Sequence, residues 1–234
     1  MYRAVDAHDG APRTVGGGLV SCDCGKVGVG MSGKTGARNA KITTKTGDTG
    51  VTGVLGPERL PKEGSRIEAL GAVDEATSAL GLARAWCEDP FVSDIVLHIQ
   101  RNLYTLMAEL ATSTTRAGVA IGMRITDDDV AWLERTQEGL LARVEIPPRF
   151  ILPGDTRAGA TLDFARATVR RAERAVSRLF HAGVLLNGEA LRYLNRLSDL
   201  LFVLARVAEA GVGGSTPARL PEPEPTHAAS HTKA

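Results

Sequence analysis

Two stretches of this chain concentrate side chains that could do chemistry. The first is Lys41-Ile42-Thr43-Thr44-Lys45-Thr46-Gly47-Asp48-Thr49-Gly50-Val51-Thr52-Gly53, which packs glycines, hydroxyls and two lysines into a short span. Glycines let a backbone curl until its N–H groups converge on an anion, and hydroxyls add further donors. Lys45, and Lys62 just beyond, could neutralise phosphate charge, while Asp48 could orient a metal-bound water. A flexible polar loop would have the same composition, and spacing alone leaves both readings open. The second stretch is Arg166-Ala167-Thr168-Val169-Arg170-Arg171-Ala172-Glu173-Arg174. At about 100° per helical residue, Arg166, Arg170 and Glu173 share one flank of an apolar stripe. Arginines beside a core seam must find a partner or a ligand. Arg171, Arg174 and Arg178 point further away, where solvation and pairing along the helix are expected.

Other patterns carry less. Gly28-x-x-x-x-Gly33-Lys34-Thr35 matches the P-loop expression, but no helical pattern follows it, as a nucleotide-binding strand–loop–helix would require. Cys22-Asp23-Cys24 has no further thiol or imidazole nearby to complete a tetrahedral metal site. His98 falls on a helix and reads as a boundary or core histidine. None of the helical patterns contains Glu-x-x-His, which argues against a di-metal bundle.

Five helical patterns are available to position these groups. The first opens on a capping box, Ser65-Arg66-Ile67-Glu68, and carries Ile67, Leu70, Val73, Ala76 and Leu80 at three- and four-residue steps. The second places Ile95, Ile99, Leu103, Leu106 and Leu110 on one face. The third starts at Thr126-Asp127-Asp128-Asp129 and runs through Val130, Leu133, Leu140 and Val144. The fourth spaces Leu162, Ala165, Val169, Ala172, Val176 and Leu179 without a miss. The fifth, from about Asn187 to Ala210, is apolar almost all round, with a narrow polar arc of Arg192, Asn195, Asp199 and Arg206. So apolar a helix is expected at a bundle centre or a subunit contact. No stretch reads as a convincing β-sheet. The expected fold is all-α, a five-helix bundle.

Composition narrows the class. Among 234 residues, 28 Lys plus Arg against 27 Asp plus Glu leave a net charge of +1, which argues against holding nucleic acid by bulk charge. Three cysteines cannot build a disulfide framework, and no apolar run reaches a membrane-spanning length of roughly 18–20 residues. A soluble, cytoplasmic protein is the expectation. Residues 1–40 hold nine of the 26 glycines and no periodic apolar face, and are expected to be a disordered leader. From about Gly211 the chain runs through Gly213-Gly214-Ser215 into Pro221-Glu222-Pro223-Glu224-Pro225, expected to be an extended, flexible tail over 211–234. The body is 41–210.

Within that body the residues resemble the PduO-type ATP:cob(I)alamin adenosyltransferases. The resemblance rests on blocks in order: Thr44-Lys45-Thr46-Gly47-Asp48 with Gly50 and Thr52; Glu58-Arg59 and Lys62; Gly71-Ala72-Val73-Asp74-Glu75; Phe150-Ile151-Leu152-Pro153-Gly154; Arg170-Arg171-Ala172-Glu173-Arg174; and Leu191-Arg192-Tyr193-Leu194-Asn195-Arg196-Leu197-Ser198-Asp199. It implies a homotrimer of five-helix bundles with sites between subunits. It implies transfer of the 5′-deoxyadenosyl group of ATP to the cobalt of cob(I)alamin, with Mg²⁺ assisting. On this resemblance Thr44, Lys45, Thr46, Gly47, Thr52, Gly53 and Lys62 form the triphosphate cradle. Arg170, Arg171, Ala172, Glu173, Arg174 and Asn195 form the rest of the ATP site, with Arg170 facing the phosphates and Glu173 near nucleotide or Mg²⁺. Asp74 and Arg166 correspond to a salt bridge across the subunit boundary, and Phe150 to the aromatic residue that keeps the lower ligand off cobalt. Asp155 departs from the pattern, since a second glycine usually follows Pro153-Gly154.

Asp74 lies between Val73 and Ala76 in the apolar half of the first helix, where a lone carboxylate is costly to desolvate, so a partner such as Arg166 is expected. The family chemistry needs no protein nucleophile, because cob(I)alamin supplies one. A reductase and an adenosylcobalamin-dependent client enzyme are the implied partners. Two alternatives belong to other classes: a non-catalytic carrier of ATP and adenosylcobalamin, and a helical interaction module that binds no ATP.

Overall fold

The computed structural model describes residues 43–112 and 123–219. The expectations for 1–40, including the P-loop match and the Cys22–Cys24 pair, lie outside the described residues, as does the tail beyond 219. Five helices form in the expected order: α1 (Ser65–Trp86), α2 (Pro90–Ala111), α3 (Asp127–Leu141), α4 (Arg157–His181) and α5 (Gly188–Glu209). A short antiparallel ribbon, β1 (Val51–Gly53) and β2 (Arg59–Pro61), precedes them. The sequence reading contained no sheet, and three-residue strands are too short to show an alternation. Their pairing sets Val51 opposite Pro61 and Gly53 opposite Arg59.

Local chemistry explains most of the boundaries. Thr126 caps α3 and forms a capping box with Asp129, while Asn187 caps α5 by accepting from the Glu189 N–H. Asp89 and Pro90 open α2, a cap followed by a residue whose missing N–H costs nothing there. The capping box expected at Ser65 is not formed. A turn closed by Gly64 N–H on the Pro61 carbonyl leaves Gly64 extended as the N-cap, so the helix begins at Ser65 and the Glu68 N–H bonds the Gly64 carbonyl.

Helix α4 packs against both α1 and α5; α2 rests on α1, and α3 on α5. The α4 stripe Leu162, Ala165, Val169, Ala172, Val176 and Leu179 is buried, as are Ile95, Ile99, Leu103, Leu106 and Leu110 of α2. In α1 the buried face is mostly alanine: Ala69, Ala72, Ala76, Ala79 and Ala83 join Val73 and Leu80. Ile67 and Leu70, expected inside, are half-buried. Small side chains let α1 approach α4 closely, and the larger residues are left toward the edge. Helix α4 is therefore the central one, and α5 beside it has buried residues from Ala190 to Glu209. The polar arc of α5 is narrower than expected, because Arg206 is buried at 2% exposure. Among the described residues no helix is long and apolar enough to cross a membrane.

Candidate active site

The loop before α1 is held in shape by its own residues. Arg59 of β2 donates through Nη2 to the carbonyls of Thr46 (2.6 Å) and Val51 (3.1 Å), and the Lys62 N–H bonds the Gly50 carbonyl. Lys45 adopts a left-handed φ of 61° and Gly50 one of 80°. A lysine in that region is strained, and the Arg59 clamp over-determines the turn that imposes it. The Lys62 ammonium lies over Gly47, where an added Cβ would come within 3.1 Å of Nζ. Thr44 and Thr46 join hydroxyl to hydroxyl at 3.0 Å. The loop residues are largely exposed, so their donors face solvent. The structure thus gathers Thr44, Lys45, Thr46, Gly47 and Lys62 at one turn, with Thr52 and Gly53 in the adjoining strand. Arg59 was given no role in the sequence reading, although the Glu58-Arg59 block of the resemblance contains it; in the structure it sits opposite Gly53.

On α4, Arg170, Glu173, Arg174 and Ser177 line a cavity of about 310 Å³. These residues sit at three- and four-residue steps, so they share a face just outside the buried stripe. Asn195 of α5 donates to Glu173 Oε1 at 3.2 Å, and Arg196 in turn donates to Asn195 Oδ1 and pairs with Glu134 of α3. Glu173 is therefore oriented from behind, and its second oxygen has no partner among the described residues. Arg174 joins the cavity, although the flank geometry alone pointed it to solvent while the resemblance grouped it with Arg170. Arg171 does turn away, toward Glu75 of α1, in a half-exposed ion pair. Ala172 is fully buried in the core and has no surface to offer a ligand, which corrects its place among the candidate contact residues.

A second charged group on α4 is internal. Asp163 (4% exposed) takes Arg166 Nε on one oxygen at 3.1 Å and Arg206 Nη2 on the other at 2.5 Å. Arg206 Nη2 also donates to Glu209 Oε1 at 3.0 Å, and its Nε lies 2.9 Å from Glu209 Oε2, off the line of a hydrogen bond. Glu209 presses against the first turn of α4: a Cβ on Gly159 would sit 2.6 Å from its Oε1. A carboxylate there gains from the N-terminal end of the helix dipole. The sequence signal was the i,i+3 spacing of Asp163 with Arg166 and of Arg206 with Glu209.

Asp74 is exposed on α1 beside Glu75, so the desolvation argument for a partner does not hold within one chain. Arg166 is engaged by Asp163 of its own helix. Phe150 stands 89% exposed on the segment before α4. Its backbone is held by the start of the C-terminal segment: the Ala218 N–H donates to the Phe150 carbonyl, the Leu152 N–H to the Thr216 carbonyl, and Ile151 bridges Pro217. Among the described residues no hydrogen bond or ion pair joins the loop around Gly47 to the Arg170 cavity.

Residues 42–208 match the family model described as cobalamin adenosyltransferase. A cobalamin adenosyltransferase of Cupriavidus metallidurans is 42% identical over 181 residues, covering 77% of this chain and 94% of that protein. A corrinoid adenosyltransferase of Citrobacter freundii is 37% identical over 169 residues, covering 72% and 95%. Among solved structures, a variant PduO-type ATP:corrinoid adenosyltransferase from Lactobacillus reuteri, complexed with cobalamin and ATP, superposes with a TM-score of 0.71 at 31% identity. That alignment covers 77% of this chain and all of the other. A five-helix bundle of this topology, matched in sequence from the glycine-rich loop to the end of α5, places the chain in the cobalamin adenosyltransferase family.

Proposed function

We propose that this protein transfers the 5′-deoxyadenosyl group of ATP to the cobalt of cob(I)alamin and releases triphosphate. The observation that carries the reading is the α4 cavity, where Arg170 and Arg174 line the same space as a carboxylate already braced by Asn195. In the reaction the cobalt electron pair forms the Co–C5′ bond, the C5′–O5′ bond breaks, and its electrons leave with the triphosphate. The protein's task is to align those three atoms and to neutralise the charge growing on the leaving group. Arg170, Arg174, Lys62 and the N–H groups of the turn around Gly47 are the donors for it. Arg171 contributes only if it leaves Glu75. Phe150 keeps water and the lower base from cobalt, which makes the cobalt(II) precursor easier to reduce.

A Mg²⁺ ion fits the donors present. Such ions commonly take one or two carboxylates and complete their shell with phosphates and water. Glu173 offers one uncommitted oxygen, and no cluster of three His, Cys, Asp or Glu residues competes for metal among the described residues. When bound, the ion would add positive charge at the phosphates.

That no hydrogen bond or ion pair among the described residues joins the Gly47 loop to the Arg170 cavity supports a site completed by a second copy, as in a homotrimer. The Asp74–Arg166 pair is then a contact between copies, with Arg166 held ready by Asp163. In that case Asp74→Asn and Arg166→Ala each lower turnover, and the double variant loses less than the two losses combined. Strictly additive losses would remove the pair. The reaction also calls for an electron donor that reduces cobalt(II) and an adenosylcobalamin-dependent enzyme that takes the product; a reducing cytoplasm suits both.

The direct test mixes purified protein, ATP, Mg²⁺ and chemically reduced cobalamin and follows the visible spectrum. Conversion of cob(I)alamin to adenosylcobalamin with release of triphosphate supports the reading. Binding of both molecules with no Co–C bond formed in a single turnover would mean a carrier instead.

A further inference from the structure

The residues just past α5 run alongside the Phe150 loop and bond its backbone. Phe150 itself is 89% exposed, so it has little packing to hold it and takes its direction from its backbone. That backbone is fixed at two carbonyl–amide bonds, Ala218 N–H to Phe150 O at 2.8 Å and Leu152 N–H to Thr216 O at 2.9 Å. Thr216 is anchored in turn by Asp155, whose two oxygens accept its backbone N–H (2.7 Å) and its hydroxyl (2.5 Å). The neighbouring Ser215 hydroxyl donates to Glu209 Oε2 at 2.5 Å, inside the buried ion cluster. Gly213 and Gly214, both with positive φ near 100°, turn the chain back so that Ser215 and Thr216 reach these two anchors.

We propose that residues 215–218 are a strap that positions Phe150 for the cobalt side of the reaction, with Asp155, Thr216 and Ser215 as positioning residues. The proposal rests on Phe150 facing the corrin, as in the reading above. Asp155 stands where a second glycine would be usual, and its carboxylate is what ties the loop to the strap. The two hydrogen bonds from Thr216 hold its pKa below the ordinary aspartate range, so the anchor is ionised at neutral pH. The same strap touches the cluster that holds Arg166: Ser215 bonds Glu209, Glu209 bonds Arg206, and Asp163 bridges Arg206 to Arg166. One short segment therefore braces both the Phe150 loop and the helix face bearing Arg166.

The test compares Thr216→Val and Thr216→Ser with the wild type in the full chain, with steady-state kinetics for ATP and cobalamin and the visible spectrum of bound cob(II)alamin. A displacement of about 1 Å at a reacting centre costs on the order of 10²-fold in rate. Thr216→Val is expected to lower kcat by about 10–100-fold and shrink the spectral fraction lacking a lower axial ligand. It should leave the KM for ATP within about twofold, since the ATP half of the site is elsewhere. Thr216→Ser, which keeps the hydroxyl, should restore both readouts. If Thr216→Val does not fold, Asp155→Asn carries the same comparison, because it keeps one acceptor oxygen and removes the other. Wild-type kcat and spectrum in the substituted protein would overturn the strap, and so would a loss shared equally by the KM for ATP. A wild type that forms no adenosylcobalamin would instead overturn the underlying reaction, and the strap with it.

Discussion

Helix α4 carries two charged clusters about two turns apart, and they differ in how their valences are filled. At Asp163 every charge meets another: Arg166, Arg206 and Glu209 complete a chain that is mostly sealed from water. At Arg170 the guanidinium groups line an open cavity, and the one hydrogen bond they make among the described residues is Arg174 Nη1 donating to the Arg170 carbonyl. Burial makes the first set expensive to disturb, because a stranded charge in the interior has nowhere to go. Exposure makes the second cheap to hold and available to an incoming anion. Similar residue types on one helix are thus saturated by one another near its N-terminus and left open at its middle, where the proposal places ATP.

Substitutions should separate the two. Arg206→Ala is expected to cost about 3–5 kcal/mol of stability in denaturant unfolding, by leaving Glu209 buried without its cation and Asp163 with Arg166 alone. Its turnover per folded molecule should fall far less than that of the cavity variant. A loss under about 1 kcal/mol would mean that water already reaches the cluster. Arg170→Ala should do the reverse: the unfolding midpoint stays near wild type, while the adenosylation rate drops by about 10²–10³, the usual loss for one preorganised donor to a developing anion. Near-normal turnover in that variant would make the cavity incidental. The smallest effect is expected at Asp155. Its pKa is lowered in the folded chain by the two bonds from Thr216. The stability it adds is therefore present above the unfolded-state pKa of about 4 and is lost as pH falls through the lower folded value. Amide exchange at Thr216 should rise in that acid window, before the helices melt, and should not do so in Asp155→Asn.

Much of this fold could be read from apolar spacing, because α2 and α4 bury long runs at unbroken three- and four-residue steps. Where alanine did the packing, as in α1, the pattern pointed at Ile67 and Leu70 and missed the tighter alanine face. Arg206 was misread for a related reason: one arginine in an apolar helix looks like its solvent arc unless the facing Asp163 is known. The candidate site was legible in pieces. Glycine and threonine density marked the loop, and the flank geometry marked Arg170 and Glu173. Ser177 fits the same helical spacing as Arg170 and Glu173 and was passed over, and Arg59 stood only within the Glu58-Arg59 block with no role. The Asp155–Thr216 anchor was not legible, since it depends on a neighbour 61 residues away. Asp74 shows the opposite error, a carboxylate assigned to an apolar face by its neighbours in sequence that the helix turns outward.

The Asp155–Thr216 anchor joins residues 61 apart, with all of α4 and α5 between them. Contacts across so long a separation repay their loop-closure entropy only after the intervening helices have docked. The brace on the Phe150 loop therefore depends on a docked α4 and α5 and cannot form ahead of them. A chain interrupted soon after α5 would carry the surfaces of an intact subunit with an unanchored loop. Were copies of the chain to assemble as proposed, such a fragment mixed with full-length protein would act as a dominant inhibitor, occupying a subunit's place while contributing an idle site.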